Sequence, residues 1–232
     1  MTNPPTDTLF VQGAPVVQNK SLILKEEKTV KFYLNGYANA FANSSYYEPC
    51  AECVEFLDTY KSALTPQASY GAGLSLLFAP GNWVLETGVD YALLKEKFDY
   101  TNTAGVVYHS DNKTSYADIK LTGGYWFWRS KKLCSFVLQG GLVYNRLLGA
   151  SGLVNDYYSP DNVVELSASG KLRDNQLSGT VSSKFIFLPQ SRFKITFEPY
   201  YMGSLANVTE HQYPYLELYN RLGLKAGFIF SL

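Results

Sequence analysis

The sequence predicts an all-β chain, an eight-stranded antiparallel up-and-down transmembrane β-barrel with short periplasmic turns and long extracellular loops. Three observations carry this expectation. Segments of about ten residues alternate apolar with polar or small side chains. The connections between the segments alternate short and long without exception. Aromatic residues gather at both ends of the apolar face.

Composition agrees. Of 232 residues, 16% are aromatic, with 19 Tyr and 14 Phe, and 17% are charged, against roughly 25% charged in an average globular domain. Lys+Arg and Asp+Glu number 20 each, so there is no electrostatic reason to expect nucleic acid. No stretch approaches the roughly 18 uninterrupted apolar residues of a membrane helix, which excludes a helical membrane protein. A barrel strand needs only about 9–11 residues. Met1 to Lys20 has no basic region followed by an apolar run, so an export signal is expected upstream or already removed.

Residues 1–28, with Pro4, Pro5 and Pro15, have no periodicity and read as a polar periplasmic linker; residues 29–232 read as the barrel. The first strand, near Lys31–Phe41, puts Phe32, Leu34, Gly36, Ala38 and Ala40 on one face and Tyr33, Asn35, Tyr37 and Asn39 on the other. The second, near Gln67–Phe78, sets Tyr70, Ala72, Leu74, Leu76 and Phe78 against Ser69, Gly71, Gly73 and Ser75. In the third, Trp83–Leu93, Trp83, Leu85, Val89 and Tyr91 oppose Glu86, Gly88 and Asp90. The fourth, Tyr116–Trp128, has Ala117, Ile119, Leu121, Tyr125 and Phe127 against Asp118, Lys120 and Thr122. The fifth, Leu133–Asn145, has Cys134, Phe136, Leu138, Leu142 and Tyr144 against Ser135, Gln139 and Gly141. The sixth, Asn175–Leu188, pairs Leu177, Val181, Phe185 and Phe187 with Ser178, Thr180, Ser182 and Lys184. The seventh, Arg192–Tyr201, sets Phe193, Ile195, Phe197 and Tyr201 against Lys194, Thr196, Glu198 and Tyr200. Pro199 cannot donate a ladder hydrogen bond, so a bulge is expected there. The eighth has Leu222, Leu224, Ala226, Phe228 and Phe230 against Arg221, Gly223, Lys225 and Gly227.

A soluble sandwich alternates in the same way, so the connections decide between them. Ala79–Asn82, Arg129–Lys132 and Pro189–Ser191 are tight; those near 42–66, 94–115, 146–174 and 202–220 are long and polar. A membrane barrel segregates its turns and loops in this manner. Small residues on the polar face suit a narrow lumen. Phe78, Trp83, Phe127, Phe187, Phe193 and Phe230 stand beside the tight turns, and Tyr70, Tyr91, Tyr144 and Tyr201 toward the long loops, as two aromatic girdles.

Tyr116-Ala-Asp-Ile-Lys-Leu-Thr-Gly-Gly-Tyr125, Val137-Leu-Gln-Gly-Gly-Leu-Val-Tyr144, Phe197-Glu-Pro-Tyr-Tyr201 and Leu222-Gly-Leu-Lys-Ala-Gly-Phe-Ile-Phe230 resemble the small outer-membrane β-barrel family of Gram-negative bacteria, the PorT-like group. The resemblance covers roughly residues 29–232. It implies an outer-membrane location and a closing strand, with Leu222, Leu224, Phe228 and Phe230, that the barrel-assembly machinery reads. The chain departs from the family in ending Phe-Ser-Leu232 where an aromatic is usual.

The polar faces collect Glu86, Asp90, Asp118 and Glu198 with Lys120, Lys184, Lys194, Arg221 and Lys225. A buried charge is costly unless paired, so these residues predict a salt-bridged plug, with Glu198 between Lys184 and Lys225 and Lys120 beside Glu86 or Asp90. A gated ion path is the competing function for the same residues. Cys50 and Cys53, as Cys-Ala-Glu-Cys in the first long loop, lack a redox-motif context and further zinc ligands. A local disulfide is the expectation in an oxidising compartment, with Cys134 a free, small hydrophobe. His109 and His211 lie in separate loops near Asp111 and Glu210 with no nucleophile motif, so no catalytic, metal or cofactor site is expected. The loops carry Tyr46, Tyr47, Tyr60, Tyr157, Tyr158, Tyr213, Tyr215 and Tyr219, a composition favoured in contact surfaces. The expected function is therefore a non-enzymatic anchor or subunit of an outer-membrane complex, contacting lipid, the assembly machinery and other surface proteins. A small gated pore or a rim-site hydrolase are the alternatives.

Overall fold

A computed structural model describes residues 30–48, 54–129, 134–166, 170–189, 191–210 and 216–232. The elements in chain order are β1 (Val30–Glu48), α1 (Val54–Ala63), β2 (Leu64–Pro66), β3 (Ser69–Pro80), β4 (Trp83–Thr101), β5 (Val107–Arg129), β6 (Cys134–Ser151), β7 (Leu153–Asn155), β8 (Val163–Glu165), β9 (Asn175–Phe187), β10 (Phe193–Ser204) and β11 (Leu216–Ser231). Eight of the strands form a ring. β1 pairs with both β3 and β11, and the circuit runs on through β4, β5, β6, β9 and β10, every pairing antiparallel. Each long strand therefore has two hydrogen-bonded neighbours, which removes the exposed edges of an open sheet.

The facing expected from alternation is observed. Leu74, Leu76, Val89, Ile119, Leu121, Leu142, Val181, Ile195, Leu222 and Phe228 are exposed on the outside of the ring, whereas Asn35, Ser75, Glu86, Thr122, Gln139 and Lys184 are buried inside it. Gly81, with φ of 67°, makes the tight β3–β4 turn, a left-handed conformation that a side chain disfavours. The turn residues 130–133 lie outside the described residues.

Three expectations are corrected. The connection at 94–115 is largely strand, since β4 and β5 stay paired up to Thr101 opposite Val107. Across this extension the alternation inverts: Leu94 and Phe98 point inward and are buried, while Lys95, Lys97, Asp111 and Lys113 occupy the opposite face. The connection at 42–66 likewise carries seven more residues of β1, then α1 and β2. In α1, Phe56, Leu57, Tyr60 and Ala63 recur at helical spacing and are all buried, so the helix lies as a lid with its apolar stripe down. The third correction concerns Pro199. Phe197 opposite Phe185 and Tyr200 opposite Ser182 keep one register, so the β9–β10 ladder skips Glu198 and Pro199 without inserting a residue. The irregularities fall instead in β5–β6, at Ser115/Tyr116 and Trp126/Trp128.

The interior is layered. Next to the tight turns, Leu77, Ala79, Val84, Val137, Ile186 and Ile229 pack as an apolar floor. Toward the loops a second cluster includes Phe41, Leu94, Tyr116, Tyr200, Met202 and Tyr219. A third, with Phe56, Leu57, Tyr60, Val154 and Leu166, joins α1 to the β7–β8 hairpin. Between floor and roof lie the charges.

Candidate functional site: the ionic layer inside the ring

Polar residues reach this layer because alternate positions of eight strands converge on one axis. Glu86 on β4 is its centre. Its Oε1 accepts from Lys120 Nζ at 2.8 Å and Ser75 Oγ at 2.6 Å. Its Oε2 accepts from Gln139 Nε2 at 3.0 Å and from Lys184 Nζ. Lys184 also meets Glu198 at 3.1 Å, so one lysine is shared by two carboxylates. Asp118 on β5 takes Arg221 Nη1 at 2.6 Å and Asn145 Nδ2 at 2.7 Å, and Ser178 Oγ donates to Asn145 at 2.6 Å. Asp90 accepts from Tyr37 OH and sits 3.4 Å from Lys225 Nζ. A buried carboxylate with several charge-assisted donors is the arrangement that offsets desolvation.

Several partners differ from the neighbour-strand pairing that strand order alone suggested. Lys120–Glu86 and Lys184–Glu198 do join adjacent strands. Lys184–Glu86, Arg221–Asp118 and Lys225–Asp90 cross the lumen, because a ring this narrow brings long side chains from opposite walls together. Glu198 does stand between Lys184 and Lys225, which is directly opposite it in the ladder, while the ion pair of Lys225 is made to Asp90. Lys194 stands apart, donating to Ser231 Oγ and lying 5.0 Å from the centre of the Tyr33 ring.

Little room is left. A cavity of about 20 Å³ remains among Asn39, Asp90, Asp118, Glu198, Arg221 and Lys225, about one water molecule in size. Glycine permits the crowding at two points. A Cβ at Gly73 would strike Asp90 and come within 2.8 Å of Tyr37 OH; one at Gly223 would lie 2.6 Å from Phe41 Cβ and 2.7 Å from the Tyr200 ring. The sequence reading missed the apolar floor beneath this layer. Its signal was present: Leu77, Val84, Val137, Ile186 and Ile229 keep the inward phase of their strands near the turns.

Other candidates fall elsewhere. Cys50, Cys53 and His211 lie outside the described residues, and Cys134 is a half-buried free thiol. His109 pairs with Asp99, directly across the hairpin, rather than with Asp111. Tyr60 and Tyr219 are buried in the roof, not displayed as a contact surface; Tyr46 and Tyr158 are exposed. Tyr213 and Tyr215 are outside the described residues. Leu222, Leu224 and Phe228 of β11 face outward, in line with Phe230 at the same phase.

A second polar cluster lies in the roof. Lys171 Nζ sits 3.3 Å from Glu217 Oε2 and 3.5 Å from the centre of the Tyr60 ring. Burial, followed by the Glu217 carboxylate, raises the Glu96 carboxyl above its ordinary range. Burial also lowers the Lys171 ammonium.

No protein-family model matches the chain, and no curated protein does. Among solved structures it is similar to Neisserial surface protein A, at 14% identity over 87% of this chain and 97% of that one, with a TM-score of 0.48. The outer membrane protein OprG from Pseudomonas aeruginosa is 11% identical over 88% and 97%, with a TM-score of 0.49. Ail, the attachment invasion locus protein of Yersinia pestis, is 12% identical over 87% and 97%, with a TM-score of 0.36.

Proposed function

We propose that the chain is a transmembrane β-barrel of a Gram-negative outer membrane, closed by its own side chains, which serves as a non-enzymatic anchor or complex subunit. One observation carries the membrane part. The outside of the ring is an apolar band with charges buried inside, and on β4 that pattern inverts above Leu93. A soluble ring would be apolar-in throughout, whereas a spanning strand must be apolar-out only where lipid touches it. The stretch from Trp83 to Leu93 has the length of one spanning strand, about 9–11 residues. Exposed Trp83, Phe127 and Phe193 stand at the turn end of the band, and Tyr70, Tyr91, Tyr144 and Tyr201 at the loop end, as interfacial girdles do.

The anchor or subunit role rests on the filled lumen, which leaves the loops as the working surface. There Tyr46 and Tyr158 are open for contact. In this reading the long loops face outward from the cell, and the assembly machinery inserts the chain through β11. Affinity purification of the full chain from detergent-solubilised membranes, with identification of what accompanies it, tests the role. A stoichiometric outer-membrane partner is expected. A chain that purifies alone from native membranes and conducts ions would favour the pore instead.

A further inference from the structure

The outer wall above the tyrosine girdle holds a like-charge pair. Lys95 on β4 and Lys113 on β5 are directly opposed in the ladder and share the outward phase. Charges of one sign placed directly opposite repel. Their flanks offer no relief: Lys113 is opposed on its other side by Ser151, and Gln67 N–H bonds the Lys95 carbonyl at 3.0 Å. Neither lysine has an ion pair among the described residues. The Lys95 ammonium instead lies 4.7 Å from the centre of the exposed Tyr70 ring. Two carboxylates share this face, Asp111 opposite Lys97 and Asp99 opposite His109. Asp99 is engaged by His109, so the three lysines are left with one acid.

On the other side of Gln67 from Lys95 is an apolar groove of about 580 Å³ on the outside of the ring. Its floor includes Ala40, Ala42, Leu222 and Leu224, and its rim is Pro66–Ala68. The groove exists because β3 begins only at Ser69, opposite Phe41, while β1 continues to Glu48. Gln67 joins the groove rim to Lys95 through the hydrogen bond just given.

We propose that this wall seats one phosphorylated lipid, its phosphate between Lys95 and Lys113 and an acyl chain in the groove over Ala40 and Ala42. The inference rests on the membrane reading. The cation pair calls for an anion at headgroup height. The adjoining groove calls for a chain, which free phosphate lacks.

Full-length protein is refolded into phosphatidylcholine vesicles containing a minority of phosphatidic acid, and folding is checked by the heat-modifiable gel shift. Retained lipid is counted by native mass spectrometry. The parent should keep one phosphatidic acid. Lys95→Gln with Lys113→Gln should lower retention about tenfold or more, and Ala42→Trp should lower it by filling the groove. Lys113→Glu should abolish retention while raising resistance to unfolding, since it gives Lys95 an internal partner. Millimolar inorganic phosphate should leave the lipid in place. Equal retention by the folded double variant overturns the seat and leaves the barrel standing, as does displacement by inorganic phosphate, which would mark a free-anion site. A parent that never folds into vesicles overturns the membrane reading and the seat together.

Discussion

Leu138 and Gln139 are neighbours in the chain and face opposite ways, one exposed outside the ring and the other buried against Glu86. On the membrane reading, Leu138→Arg should cost about 2–4 kcal/mol of folding free energy, measured by refolding into vesicles. A parent-like refolding yield would contradict the membrane reading. Lys184→Met tests the ionic layer. It strips the cation shared by Glu86 and Glu198 and should cost about 3–5 kcal/mol, the usual penalty for orphaning a buried charge. Adding Glu86→Gln should recover part of that loss, and no recovery would mean the two do not act as a pair. The facing of both residues was legible in the sequence, because a strand's period of two leaves only two choices. The partners were not, since they depend on which walls of a ring lie within reach of a lysine.

The roof is the part of the fold least legible in the sequence. In β4, Lys95-Glu-Lys-Phe-Asp-Tyr100 has charges at 95, 96, 97 and 99 and looks like loop when an apolar outward face is sought. It is strand with the opposite polarity. The helix α1 is ten residues long, and its short stripe of Phe56, Leu57, Tyr60 and Ala63 follows a segment read for its cysteines. The roof also carries a pH signature. Glu96 is raised above 4.5 chiefly by burial, so deprotonation disfavours the folded roof. Below pH 4.5 both folded and unfolded forms are protonated and Glu96 has no effect. As pH climbs from there to the raised pKa, stability falls, and above it the penalty is constant. Glu96→Gln should therefore stabilise the roof at neutral pH and leave it unchanged near pH 4. Thermal loss of tyrosine near-ultraviolet dichroism at the two pH values measures this. An equal gain at both would refute the burial argument.

For the whole molecule, the filled lumen and the orientation are the testable properties. A space of about 20 Å³ cannot carry a hydrated ion stream, so the protein in planar bilayers should give no steady conductance. Porin-sized steps would contradict both the plug and the ring of eight. Protease applied to intact cells should cut around Asn155–Asp161, where Tyr158 is exposed, and should spare the Gly81–Asn82 turn. Cleavage confined to that turn would invert the topology.

The ion pairs that cross the lumen also constrain the order of assembly. Arg221 and Lys225, both on β11, neutralise Asp118 and Asp90, partners 103 and 135 residues earlier in the chain. A sheet of seven strands would hold these two acids with their cations still missing, and β1 would lack the neighbour that closes it. Hydrogen-bond closure beside β1 and neutralisation of these two acids therefore both require β11 to be in place. A sheet without β11 would be open at both β1 and β10 and would leave Asp90 and Asp118 without their cations, so the same strand that seals the ring also settles its interior charge.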